Sequence, residues 1–178
     1  MKSLIRGIDR ISLVSGYLAG AMTFLGLLIV LVEIFVRSLF DGTTYITEEY
    51  SGYLMCGLVF CGLANTLKQN GHIRMVFIHK LFSGRPRLYL EMSCMLVSLG
   101  FCLVLIYSTM DLFWDSYVND SQSMQITETY LAVPQFFMPL GAILLALQFV
   151  SGLMKGLLIM KGEMSPAKLL EVSDKLGR

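Results

Sequence analysis

Four long stretches of the chain contain no Asp, Glu, Lys, Arg or His, and short polar segments separate them. An α-helix rises about 1.5 Å per residue, so roughly 20 residues cross a hydrocarbon core of about 30 Å. Backbone groups in lipid must be hydrogen-bonded within their own segment, which favours helices. Short alternating strands, as in a membrane barrel, are absent. The charge-free stretches are 11–32, 50–67, 92–110 and 130–154.

This pattern predicts an all-α integral membrane protein with four transmembrane helices. A soluble bundle is the alternative, and charge-free stretches of this length disfavour it. Residues 72–83 are too short and too charged to span, and their apolar positions share one face. They predict a short amphipathic helix in the membrane interface between the second and third spans. We expect one membrane domain over 1–161, with spans at about 11–36, 48–68, 88–112 and 130–158, and a cytoplasmic tail over 162–178.

The basic residues indicate how the helices are oriented. Of the 14 Lys and Arg residues, three precede the first charge-free stretch, five lie between the second and the third, and five follow the fourth. The third loop has none, and the first span and the loop after it have only Arg37. Short cytoplasmic loops are enriched in Lys and Arg. Both termini and the second loop are therefore predicted to be cytoplasmic.

Composition and motifs argue against an enzyme. Charged residues make up 15% of the chain, against about 25% in soluble domains. His72 and His79 lie outside the predicted spans, and no carboxylate is at mid-membrane, which disfavours haem ligation or a proton relay. The four cysteines lack metal-ligand spacing, and no basic cluster suggests nucleic acid. We expect no cofactor, no metal site and no catalytic residue, and a chain that works as a subunit.

Charged residues also stand at the predicted outer ends of helices. Glu33 and Arg37 are four residues apart and share a helix face. Glu48 and Glu49 begin the second helix, where carboxylates favour the positive helix end. For each, helix capping or interface anchoring is one interpretation, and contact with a partner or a lipid head group is the other.

Several of these residues belong to a wider resemblance. Glu48-Glu49-Tyr50, the glycine-spaced run 57–64 and the segment 67–74, which ends in Gly71-His72-Ile73-Arg74, resemble the small permease subunit of tripartite ATP-independent periplasmic (TRAP) transporters, the DctQ-like family. Glu33 and Arg37 match as well, as do Pro134, Pro139, Leu140 and Gly141 in the fourth span. The resemblance extends to about residue 161 and includes the chain length and the four-helix topology.

The resemblance implies a secondary transporter of the bacterial inner membrane, made of three parts. A periplasmic substrate-binding protein captures an organic acid, and a large permease subunit carries the sodium and substrate sites. The small subunit is similar to a scaffold that packs beside the large one and helps to dock the binding protein. Its expected partners are these two proteins and membrane lipids, without nucleic acid, and it would need no cofactor because sodium is bound by the large subunit.

The same resemblance suggests roles for individual residues. Glu33 and Arg37 would hold the outer end of the first helix or a partner. Glu48 and Glu49 would present negative charge to the periplasm near the docking surface.

Two further groups have suggested roles. His72, Ile73 and Arg74 would anchor the interfacial helix to lipid head groups or to the large subunit. The other group would shape the fourth helix for packing: Pro134, Pro139 and Gly141.

Two other functions stay open at this point. An autonomous small four-helix transporter, such as a dimeric multidrug exporter, would be expected to have a carboxylate within the membrane. A membrane assembly factor of the tetraspanin kind would be expected to have cysteines in a large outward loop.

Overall fold

A computed structural model describes residues 2–69 and 85–160 of the chain. The described residues form five helices and no strand. The predicted interfacial helix at 72–83, with His72, Ile73 and Arg74, and the predicted tail lie outside them. The helices are α1 Lys2–Phe40, α2 Thr47–Lys68, α3 Arg85–Val118, the short α4 Ala132–Gln135 and α5 Phe137–Met160.

Four helical segments are long and apolar enough to cross a membrane. Three of them correspond to α1, α2 and α3, and the fourth combines α4 and α5 as Ala132–Met160. The prediction of an all-α membrane protein with four spans is therefore confirmed. The helix α1 has 39 residues. At about 1.5 Å per residue it is longer than a hydrocarbon core of about 30 Å, so part of it extends beyond the core.

Side-chain contacts show that α1 runs antiparallel to both α2 and α5. The Lys68 ammonium, at the end of α2, donates to the Asp9 carbonyl oxygen near the start of α1 at 2.8 Å. Lys155, near the end of α5, forms an ion pair with the Asp9 carboxylate at 2.9 Å. We call this side of the bundle, with Asp9, Lys68 and Lys155, the basic end. The opposite side carries the connections 41–46 and 119–131, and we call it the loop end.

The helices α2 and α5 form the centre of the bundle. Helix α1 packs mainly on α2, and α3 packs on α5. Glycines allow these close approaches. A Cβ atom at Gly57 would lie 2.7 Å from the Met22 sulfur, and a Cβ atom at Gly141 would collide with the Phe60 backbone. The outer faces of α1 and α3 remain apolar and exposed, as expected of surfaces in contact with lipid.

The fourth span is interrupted at Phe136, between α4 and α5. Pro139 has no amide hydrogen, so the Gln135 carbonyl loses the partner it would have in a regular helix. Phe136 keeps helical dihedral angles, with φ −54° and ψ −34°, so the chain continues into α5. Pro134, Pro139 and Gly141 are all buried.

Candidate functional site

The carboxylate of Glu33, in the last two turns of α1, is the centre of the loop end. Its Oε1 accepts a hydrogen bond from the Thr43 hydroxyl at 2.7 Å. Its Oε2 accepts from the Thr44 amide at 3.0 Å, from the Thr47 hydroxyl at 3.2 Å and from the Thr44 hydroxyl. These donors compensate for the loss of water around a side chain that is 11% exposed. The connection between α1 and α2 is thereby folded around one carboxylate.

Arg37 forms the predicted pair with Glu33, but the contact is long. The Arg37 Nη2 lies 3.4 Å from Glu33 Oε1, and the arginine side chain is 69% exposed. Exposed ion pairs contribute little to stability. The threonines therefore hold the carboxylate, and most of the guanidinium faces outward. Thr43 and Thr44 were not among the residues singled out from the sequence.

The connection 41–46 contains two residues in the left-handed region. Asp41 has φ 47° and Tyr45 has φ 57°. Aspartate tolerates this conformation, whereas for a bulky residue such as tyrosine it is strained. The two residues before Tyr45 donate to Glu33, so the carboxylate helps to hold the strained turn in place.

A second carboxylate fixes the other connection. Glu49, in the first turn of α2, accepts from the Tyr53 hydroxyl at 2.6 Å through Oε1 and from the Thr127 hydroxyl through Oε2. It is 7% exposed. Its side chain therefore faces the inside of the loop end, which differs from the outward position expected from the sequence. Glu48 is exposed.

The connection 119–131 also folds back on itself. The Ser123 amide donates to the Thr129 carbonyl at 2.9 Å, and the Leu131 amide donates to the Ser121 carbonyl at 3.0 Å. Because Thr127 is bound to Glu49, this folded segment is attached to the start of α2.

The two connections share one groove with a volume of about 370 Å³. Arg37 and Glu48 supply an exposed cation and an exposed anion beside it, and Gln125 and Ile126 close it from the second connection. Such a surface is suited to recognising a polar segment of another protein. Within 2–69 and 85–160, no group of three His, Cys, Asp or Glu residues is placed to hold a metal ion.

A polar network at the basic end was not anticipated from the sequence. The Lys155 ammonium lies 2.9 Å and 3.0 Å from the two Asp9 carboxylate oxygens, and the Gln148 amide donates to Asp9 at 3.1 Å. The Ser12 hydroxyl donates to Gln148 Oε1 at 2.7 Å. This network joins α1 to α5. No local signal could have revealed it, because Gln148 lies in a charge-free stretch and its partners are far away along the chain.

The sequence profile described as "Tripartite ATP-independent periplasmic transporters, DctQ component" matches residues 26–158. No curated protein matches the chain. The matched region begins in the middle of α1 and ends near the end of α5, so it includes Glu33, Glu49 and the connections that these carboxylates hold. Asp9 lies before it. Because the match covers well over half of the sequence, this chain belongs to the DctQ family of TRAP transporter components.

Proposed function

We propose that the chain is the small membrane subunit of a TRAP transporter, which scaffolds the large permease subunit and helps to dock the periplasmic substrate-binding protein. The complete transporter would take up an organic acid coupled to sodium, with the sodium site on the large subunit. Membership of the DctQ family supports a role as a transporter component. The more specific roles are supported by the geometry of the loop end and of the outer helix faces.

The observation that carries the docking proposal is the attachment of both connections at the loop end. Glu33 holds the first connection through three threonines, and Glu49 holds the second through Thr127. A surface that is ordered before binding loses less conformational entropy when a partner binds. Arg37 and Glu48 remain exposed on this surface, which provides charges of both signs for a protein partner.

The proposed orientation follows from the distribution of Lys and Arg. These residues are concentrated in the N-terminal segment, the second loop and the C-terminal segment. The positive-inside rule then puts the basic end in the cytoplasm and the loop end in the periplasm of a bacterial inner membrane. This orientation turns the groove at the loop end towards the compartment of the substrate-binding protein.

The scaffolding role is supported by the two outer helices. On α3, Phe101 is 72% exposed and Val97 is 71% exposed, and on α1 Phe24 is 61% exposed. In a lipid bilayer these faces are compatible either with acyl chains or with the helices of a larger membrane subunit. We propose that one of them packs on the large permease subunit.

Reconstitution tests the proposal. The chain, the large permease subunit and the substrate-binding protein are inserted into proteoliposomes in all combinations, and uptake of a labelled organic acid is measured with and without a sodium gradient. We expect uptake only when all three proteins are present. Sodium-driven uptake by this chain alone would refute the proposal and would establish an autonomous transporter.

A further inference from the structure

A basic groove with a volume of about 690 Å³ lies at the basic end of α1. Lys68 of α2 forms its far wall. The residues of α1 that line it recur every three or four positions, so they share one helix face. They are Ser3, Arg6, Gly7, Asp9, Arg10 and Leu13.

Lys68 is directed into this groove by a contact between helices. Its ammonium donates to the Asp9 carbonyl oxygen of α1 at 2.8 Å. A carbonyl oxygen carries no net charge, so this hydrogen bond positions the ammonium without neutralising its positive charge. Arg10, in the first half of α1, is exposed beside it.

Among the described residues that line the groove, the carboxylate of Asp9 is held by another helix. Asp9 is bound by Lys155 at 2.9 Å and by the Gln148 amide at 3.1 Å. The charge of Lys155 balances the charge of Asp9. Arg10 and Lys68 therefore give the groove a positive potential that an anion would reduce.

The position along the helix axis places the groove at the level of lipid head groups. Arg10 comes directly before the charge-free stretch 11–32, and Lys68 comes directly after the stretch 50–67. Basic residues at this level attract anionic lipids. From Arg10 towards the membrane centre, the same face of α1 becomes apolar and exposed. Tyr17 is 73% exposed and Phe24 is 61% exposed.

We propose that this groove binds the phosphodiester head group of an anionic phospholipid in the leaflet at the basic end. Guanidinium groups bind phosphate oxygens through paired N–H donors, and the Lys68 ammonium adds a point charge. No atom lies within 4 Å of the position of a Cβ atom at Gly7, so the head group can approach the α1 backbone. The apolar face of α1 on the membrane side of the groove can contact the acyl chains of a lipid, whereas free phosphate would make no such contact.

The test measures lipid binding by the full chain purified in a mild detergent. The chain is titrated with phosphatidylglycerol and with phosphatidylcholine of the same acyl chains, and native mass spectrometry counts the bound lipids. We expect clear preference for phosphatidylglycerol. We also expect the double variant Arg10→Gln/Lys68→Gln to bind it less tightly, by about fivefold for each charge removed. Gly7→Leu, which fills the groove without a change in charge, should weaken binding as well.

Two matched variants serve as controls. Arg37→Gln removes the same kind of charge at the loop end, and Gly100→Leu fills an equally open glycine position on α3. Neither should change phosphatidylglycerol binding. Equal binding of the two lipids, or unchanged binding by the double variant, would overturn the proposal. Displacement of the lipid by an equal concentration of inorganic phosphate would overturn it too, in favour of a free-phosphate site. This experiment does not measure transport, so a result that contradicts lipid binding would not contradict the proposed function.

Discussion

The two ends of the bundle hold their carboxylates in different ways. At the loop end, Glu33 is bound by threonines that follow it by only 10 to 14 residues. At the basic end, Asp9 is bound by Lys155 and Gln148, which lie 146 and 139 residues away. The first arrangement orders a local connection. The second fixes the position of one helix relative to another.

This difference separates two properties of the subunit. The association of helices in lipid lacks a hydrophobic driving force of the kind that acts in water, so polar contacts between helices carry a larger share of the specificity. The Asp9 network is therefore expected to determine bundle stability. The Glu33 site is expected to determine the order of the surface at the loop end, with little effect on the helices.

The largest effect is expected at the basic end. Asp9→Leu leaves the Lys155 ammonium without its carboxylate, and the side chains of both are 25% exposed. Because this exposure is intermediate, we expect the free energy of unfolding to fall by about 2 kcal/mol. This lies between the losses typical of fully buried and of fully exposed ion pairs. The measurement is detergent unfolding followed by circular dichroism.

A double variant sharpens this prediction. Asp9→Leu/Lys155→Leu should be less destabilised than the sum of the single variants, because neither charge is left uncompensated. Asp115→Leu is the control, since that carboxylate is exposed at the end of α3. Equal losses for Asp9→Leu and the control would show that the network does not hold the bundle together.

The next effect is expected at the loop end. Glu33→Ala removes the acceptor for three threonine side chains and one amide, so the connection 41–46 should lose order. We expect its amides to exchange hydrogen about tenfold faster, as is typical of local opening, while exchange in α5 stays unchanged. Hydrogen–deuterium exchange with mass spectrometry measures this. Glu33→Gln keeps an oxygen acceptor and should show a smaller change. Equal acceleration along the whole chain would mean that Glu33 supports the bundle itself.

At Arg37 we expect a smaller effect on the stability of the chain but a measurable effect on transport. Its guanidinium is 69% exposed and 3.4 Å from Glu33, so Arg37→Ala should barely change the melting temperature. We expect a several-fold loss of uptake, or of co-purification, in the reconstituted three-part system, and partial recovery in Arg37→Lys. If Arg37→Ala kept the wild-type yield and uptake, Arg37 would not be part of the proposed docking surface.

The smallest effect is expected at Tyr45. Its φ of 57° is unfavourable for a residue with a side chain and costs about 1 kcal/mol. Tyr45→Gly should remove that strain and raise the melting temperature slightly, whereas Tyr45→Ala keeps the Cβ atom and should give no gain. A lower melting temperature in Tyr45→Gly than in Tyr45→Ala would show that the turn is not strained.

Much of the fold could be predicted from the sequence because the lipid environment leaves few alternatives. Charge-free stretches of sufficient length identified the four spans, and Pro139 marked the interrupted one. The ends of the helices were less predictable. Helix α1 begins at Lys2, well before its charge-free stretch, since a helix can continue past the membrane while one face, with Ile5 and Ile8, is buried.

The candidate site was only partly predictable. The spacing of Glu33 and Arg37 gave the pair, but the stronger contacts come from threonines in a connection whose path depends on a left-handed turn. Glu49 was noticed, yet its burial depends on Thr127, which is 78 residues away. Gln148 was invisible, because an uncharged amide does not interrupt a hydrophobic stretch. Contacts of this kind arise only when distant helices pack.

The close approach at Gly141 has a mechanical consequence. With no room for even one methyl group between α5 and the Phe60 backbone, neither helix can rotate or slide past the other without a steric clash. We therefore expect the two central helices to move together. Any displacement that accompanies the transport cycle would have to occur at the borders of this pair, where the chain meets its neighbours.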